Sequence, residues 1–356
     1  MTDADSPAGN NGDGHLDDDP LLRNPRTIPL PSELPPVEPP SAGLIVQLFL
    51  VPAIIVAAVI GVYALFGRMA SQEQDWRQLT SDVRSDNPHI RWRGALGLAQ
   101  LLDADAQRGE NSQKLSQNRE IATALAGLYQ ELIQHNAPSE EELKQIEFLS
   151  KAMGRMEVAD VMIPVLQTGI DPARNHDVRK HSLIGLAMLA GNAKDSPTLK
   201  ENPELVNQLI AISKEPEPLF RHQAAYDLGL IPTPAALERL EVLLDDPDQM
   251  VRLNAAIGLT RNGNLKGEPV FAELVNEAIQ WKLDPAQVRT VEEEARYFER
   301  MLMITNVLKA ISELQPQLTA ESKAAYEQKI ELLSNSTHDA VLRTQARELL
   351  HKFKKQ

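Results

Sequence analysis

Five arginines recur along the chain in one local setting. Arginine is the side chain best suited to grip carboxylates or phosphates, because its planar fork is always charged. Arg91, Arg179, Arg221, Arg252 and Arg343 each follow an apolar residue (Ile90, Val178, Phe220, Val251 and Leu342) and precede small or apolar residues about one turn later. Such a series reads either as a line of anion-binding groups or as a structural ladder, with each guanidinium tied to carboxylates or carbonyls at the turns. Acids close in sequence, such as Asp177, Asp248 and Asp339, and the periodic placement favour the ladder.

Other chemistry has little support in the sequence. The absence of cysteine removes disulfides, thiolate nucleophiles and cysteine-based metal sites. His176 and His181 stand five apart, off one helical face, and no His-Glu-x-x-His pair occurs, so no metal is expected. Glu140-Glu141-Glu142 and Glu292-Glu293-Glu294 resemble paired catalytic carboxylates, but acids gather in first helical turns for dipole reasons alone. No phosphate loop, dinucleotide fingerprint or nucleophile elbow stands in a suitable context, so no cofactor and no catalysis are expected. Trp281, Tyr297 and Phe298 lie in an irregular stretch, where they serve as partner-surface anchors or as core between repeats. A net charge of −14 argues against nucleic acid as a partner.

The elements that must position these residues fall into three segments. Residues 1–42 hold nine prolines, three glycines, eight acids and two bases, which predicts a disordered acidic tail. Residues 43–66 carry no charge, and one helix of that length would reach roughly 36 Å. This predicts a single transmembrane helix. Arg68 and Arg77 on its C-terminal flank, against no base on the other, place the large C-terminal part in the cytoplasm and the tail outside. The expected location is thus the inner cell membrane, single-pass, with a juxtamembrane linker at 67–79.

From residue 80 to 356 the pattern is one of amphipathic helices. Taking Val251 to Leu259 as a ruler, copies fall at the five arginines, and weaker ones at Ile146 and Arg300. Seven anchors between 91 and 343 give a mean spacing of about 42 residues, the length of two helices and their turns. Within the ruler unit, Asp246 is expected to cap a helix with Pro247 in its first turn, and Asn262-Gly263 to stop it. Val251, Ala255, Gly258 and Leu259 line one packed face, with Leu253 off it. Asp103 to Asn118 reads as a polar surface loop.

The segments SDNPHIRWRGALGLAQLL, DVRKHSLIGLAMLAGN and DDPDQMVRLNAAIGLTRNG resemble HEAT-like repeats, including the variety named after phycobilisome lyases. The resemblance implies an all-α fold, a solenoid of about seven helical pairs. The expected role is a membrane-tethered scaffold or assembly factor that binds protein partners. The alternatives are a lyase-like or chaperone role on a tetrapyrrole, or a structural subunit of a membrane complex.

Overall fold

The computed structural model describes residues 43, 50–70, 75–135 and 137–354, and the expected tail at 1–42 lies outside them. The chain divides into two units, Met1–Gln72 and Glu73–Gln356. In the first, α1 runs Val51–Ala70, and its apolar side chains from Ile54 to Val62 are exposed.

No helix among the described residues is long and apolar enough to cross a membrane. The single-pass assignment of residues 43–66 is therefore corrected. The inner-membrane location, the membrane-integral status and the cytoplasmic and outer sides expected with it are corrected too. The described helix begins only at Val51, and its uncharged part ends before Arg68. At 1.5 Å per residue that part rises about 26 Å, short of a hydrocarbon core of about 30 Å.

The second unit is all-helical among its described residues. Fourteen helices of eight residues or more follow in seven pairs: α2 (Trp76–Val83) with α3 (Pro88–Gln107), α4 (Arg119–Ile133) with α5 (Glu140–Gly154), and α6 (Ala159–Gly169) with α7 (His176–Asn192). Next come α8 (Pro203–Ile212) with α9 (Pro218–Leu230), α10 (Pro234–Leu243) with α11 (Gln249–Arg261), α12 (Glu268–Trp281) with α13 (Val291–Leu314), and α14 (Ala320–Ser336) with α15 (Ala340–Lys354). Between successive pairs, second helices pack on second helices throughout, and first helices meet at α2–α4, α4–α6, α8–α10 and α12–α14, giving the two layers of a repeat array. Each of the seven anchors lies on a second helix.

Local chemistry sets the helix starts. Asn87 accepts the His89 N–H with Pro88 in the first turn, and Ser139 and Thr290 form reciprocal capping boxes with Glu142 and Glu293. Those two glutamates, from the acidic runs, are thus helix-start residues. α11 is capped two residues later than expected: Asp248 accepts the Val251 N–H, and Asp246 is released for another partner. Gly263 does stop α11, at φ +76°, while the Asn262 amide donates to the Gly229 and Gly258 carbonyls.

Second helices approach closely where glycines face each other. A Cβ at Gly229 would sit 2.6 Å from the Gly258 Cα, and one at Gly154 would sit 2.5 Å from the Met188 Cβ. Neither seam has room for a larger residue.

The interior forms two apolar clusters. One runs from Leu79 to Leu259, the other from Leu253 to Phe353. They meet on α11, which sends Val251, Ala255 and Leu259 into the first and Leu253 and Ala256 into the second. Leu253, expected off the packed face, is fully buried, because a helix inside an array is covered on more than one side. The stretch from Asp103 to Asn118 is also more ordered than a surface loop. The buried Asp105 carboxylate accepts from the Ser112 hydroxyl and the Gln113 and Leu115 N–H groups, pinning two short 3₁₀ turns.

Candidate functional site

The arginines occupy a common place at the start of the second helices, and four of them reach forward to a carboxylate of the next pair. Arg91 on α3 bonds both oxygens of Glu131 on α4, and Arg179 on α7 bonds Glu215 at 2.5 Å. Arg221 on α9 holds Asp246 through Nε and Nη2, both at 2.9 Å, and Arg252 on α11 reaches Glu273 on α12 at 3.0 Å. Carbonyls of the preceding turn take the remaining donors: Glu215 and Pro216 for Arg221, Asp246 and Pro247 for Arg252. Arg343, in the last pair, bonds the Thr337 carbonyl and has no ion pair among the described residues.

The acids nearest in sequence are engaged elsewhere. Asp177 pairs with Lys180, Asp248 caps α11, and Asp339 accepts the Leu342 N–H and the Tyr297 hydroxyl. The partners instead come from the following pair, 21 to 40 residues away.

Trp281 and Tyr297 are half-buried and line one cavity of about 200 Å³, where the Arg300 guanidinium lies 5.3 Å from the Trp281 ring centre. Burial and the Asp339 carboxylate push the Tyr297 hydroxyl up to about 12. Phe298 touches Tyr297 edge-on but is 60% exposed. Histidines do not converge: His176 bonds Glu217, and His181 Nδ1 is buried without a partner. No group of metal-ligating side chains gathers among the described residues.

A larger concavity lies elsewhere, on the layer of second helices. It has a volume of about 550 Å³ and is walled by four consecutive second helices, so that face is concave here. Ile184 and Met188 come from α7; His222, Gln223 and Tyr226 from α9; Met250 and Asn254 from α11; Leu302 and Asn306 from α13. In a chain with 24% charged residues, no Asp, Glu, Lys or Arg lines it. Its one titratable base, His222, is held below the usual imidazole value by burial and is neutral at pH 7.

Amides are fixed around this groove by bonds beneath it. The Asn254 Nδ2 donates to the His222 carbonyl, and the Gln223 Nε2 donates to Asp227 Oδ1 at 3.2 Å. Asp227 is fully buried and its Oδ2 has no partner. Burial raises its pKa well above the carboxylate range, against a smaller opposing effect of the Gln223 bond. The unfolded chain releases this proton near pH ~3.9. Between that value and the folded pKa the native state binds more protons, so stability falls as pH rises. Asp227→Asn is expected to raise the melting temperature at pH 8 by roughly 2–4 °C and to change little at pH 4. Thermal unfolding at the two pH values checks this.

Sequence reasoning found the arginines and two of the aromatics at the surface cavity, but missed the groove. Its side chains come from helices about 40 residues apart. Only the amides two residues after an anchor, Gln223 after Arg221 and Asn254 after Arg252, could have marked it.

A family model for HEAT repeats matches residues 202–283. No curated protein matches the chain. Among solved structures, the chain is similar to Kap121p in its complex with RanGTP, at 15% identity and a TM-score of 0.44, covering 82% of this chain and 30% of that one. It is also similar to a chain of the CpcE–CpcF phycocyanin lyase complex from Nostoc sp. PCC7120, at 16% identity and a TM-score of 0.38, covering 78% and 94%. Human deoxyhypusine hydroxylase is matched at 15% identity and a TM-score of 0.31, covering 82% and 99%. The matched HEAT repeats run from the start of α8 through the end of α12, the stretch that contributes α9 and α11 to the groove.

Proposed function

We propose that the helical array, placed by the sequence at residues 80–356, is a non-catalytic protein-binding scaffold whose contact surface is the concave layer of second helices. One observation carries this reading: a groove of about 550 Å³ crosses four repeats and is lined by amides, thioethers and aliphatic side chains. Repeat arrays offer such extended surfaces because each unit adds a strip to the same face. The arginines belong to the scaffold in this reading, four of them tying a pair to the next rather than binding ligand. Trp281 and Tyr297 pack within the array, and Phe298 stands at its surface.

The test is site-specific photo-cross-linking in cells that express the full chain. A photoreactive residue at Leu302, on the groove wall and 55% exposed, should give a discrete protein adduct. The same residue at Val242, on α10 and 60% exposed, should not. Equal adducts at both positions, or none at Leu302, would overturn the assignment of the surface.

A further inference from the structure

The groove's composition narrows what it can hold, on the premise that this face is the contact surface. We infer that its occupant is an uncharged polypeptide segment with apolar side chains, bound in an extended conformation. The first part follows from charge. A charged segment entering a concave, charge-free wall would lose hydration and meet no counter-ion. An apolar segment would bury its side chains against Met188, Met250 and Leu302, and methionine adapts to irregular apolar shapes.

The second part follows from the amides. The Asn306 side chain is half-buried on the groove wall and makes no hydrogen bond among the described residues. Asn254 and Gln223 each spend one N–H on an internal acceptor, which fixes the amide plane and leaves the side-chain oxygen without a donor. The groove therefore offers both donors and acceptors, with the Asn254 and Gln223 amides held by internal bonds, on a wall without charged side chains. A helical segment satisfies its own backbone and needs none of them. An extended one presents unpaired N–H and C=O groups that must be met when water leaves. Fixed amides flanked by apolar contacts suit that need.

The experiment uses the full chain and fluorescent, end-capped peptides of about twelve residues, read by polarisation. Three pools alternate apolar residues with Ser/Gln, with Lys or with Glu, and a fourth is the neutral pool N-methylated on alternate backbone nitrogens. The neutral pool should bind tightest. N-methylation should weaken it about tenfold or more, the scale of one or two lost hydrogen bonds. Leu302→Glu should abolish binding, and Asn306→Ala should weaken the neutral pool while lessening the effect of N-methylation. Both substitutions are at accessible positions, and unchanged melting confirms the fold.

Tighter binding of the Lys or Glu pool, still lost in Leu302→Glu, would overturn the occupant and leave the contact surface standing. Equal binding of the N-methylated pool would overturn the extended conformation. Binding of any pool that ignores both substitutions, or no binding at all, would overturn the inference. The cross-linking result judges the surface separately.

Discussion

Leu253→Ala and Leu259→Ala should each destabilise the array by about 2–5 kcal/mol, the range for removing a large buried aliphatic side chain. Both leucines are fully buried on α11, yet they belong to different clusters, Leu259 to the N-terminal one and Leu253 to the C-terminal one. The equal size is informative, because an amphipathic helix with one covered face would show a large loss at one position and a small one at the other. Their locations should separate by hydrogen exchange. Leu259→Ala should loosen amides of α9 and α10 first, and Leu253→Ala those of α12 and α13. Small and large shifts in place of two large ones would mean that only one side of α11 is packed.

Arg221→Ala should be the most damaging of the arginine substitutions, at about 3–5 kcal/mol. Its side chain is 12% exposed and that of Asp246 only 7%, so truncation leaves a buried carboxylate with the Asp248 N–H as its remaining donor. Arg91→Ala should cost at most about 1 kcal/mol, because Glu131 is half-exposed and water replaces the lost partner. Arg252, paired with the half-exposed Glu273, should fall between them. The double change Arg221→Met with Asp246→Leu should recover much of the loss, since replacing both ions removes the stranded charge.

Acid titration gives the same comparison a second readout. Burial alone would push Asp246 up, but the Arg221 hydrogen bonds, the Asp248 N–H and the nearby positive charges bring it below the usual carboxylate range. Its contribution is therefore present above pH ~3.9 and lost as pH falls through its lower folded value. Arg221→Ala should remove that acid-side loss. Asp227, one pair earlier in the chain, acts in the opposite sense and disfavours the fold as pH rises. A variant panel melted from pH 3 to 8 would resolve the two slopes.

What the sequence revealed follows a physical division. All seven second helices were found from their anchors, because helical periodicity, Asn-Pro starts and Asn-Gly stops act within one or two turns. The two weak copies at Ile146 and Arg300 lie on α5 and α13, second helices like the rest. What failed needed neighbours distant in sequence. Leu253 looks peripheral until α12 and α13 cover it. Asp246 looks like a cap until Arg221 claims it, and Asp105 looks solvated until residues 112–115 fold back upon it. The apolar stretch near the N-terminus differs: no described helix there is long and apolar enough to cross a membrane, and residue count does not measure helix length.

The forward reach of the arginines gives the array a direction, and with it a rule for lengthening or shortening. Where such a tie runs from one pair to the next, as from the first, third, fourth and fifth pairs, loss of the leading pair leaves a spare acid and loss of the trailing pair a spare base. Arg343, on α15, bonds the Thr337 carbonyl in place of a carboxylate. Duplication of a whole internal pair would heal at both seams only where donor and acceptor positions correspond. Arg179 and Arg221 find acids in the turn before the next second helix, whereas Arg91 and Arg252 find them on the next first helix. A splice within one kind therefore keeps the acid where the arginine reaches, whereas a splice between the two kinds moves it from a turn to a first helix or the reverse.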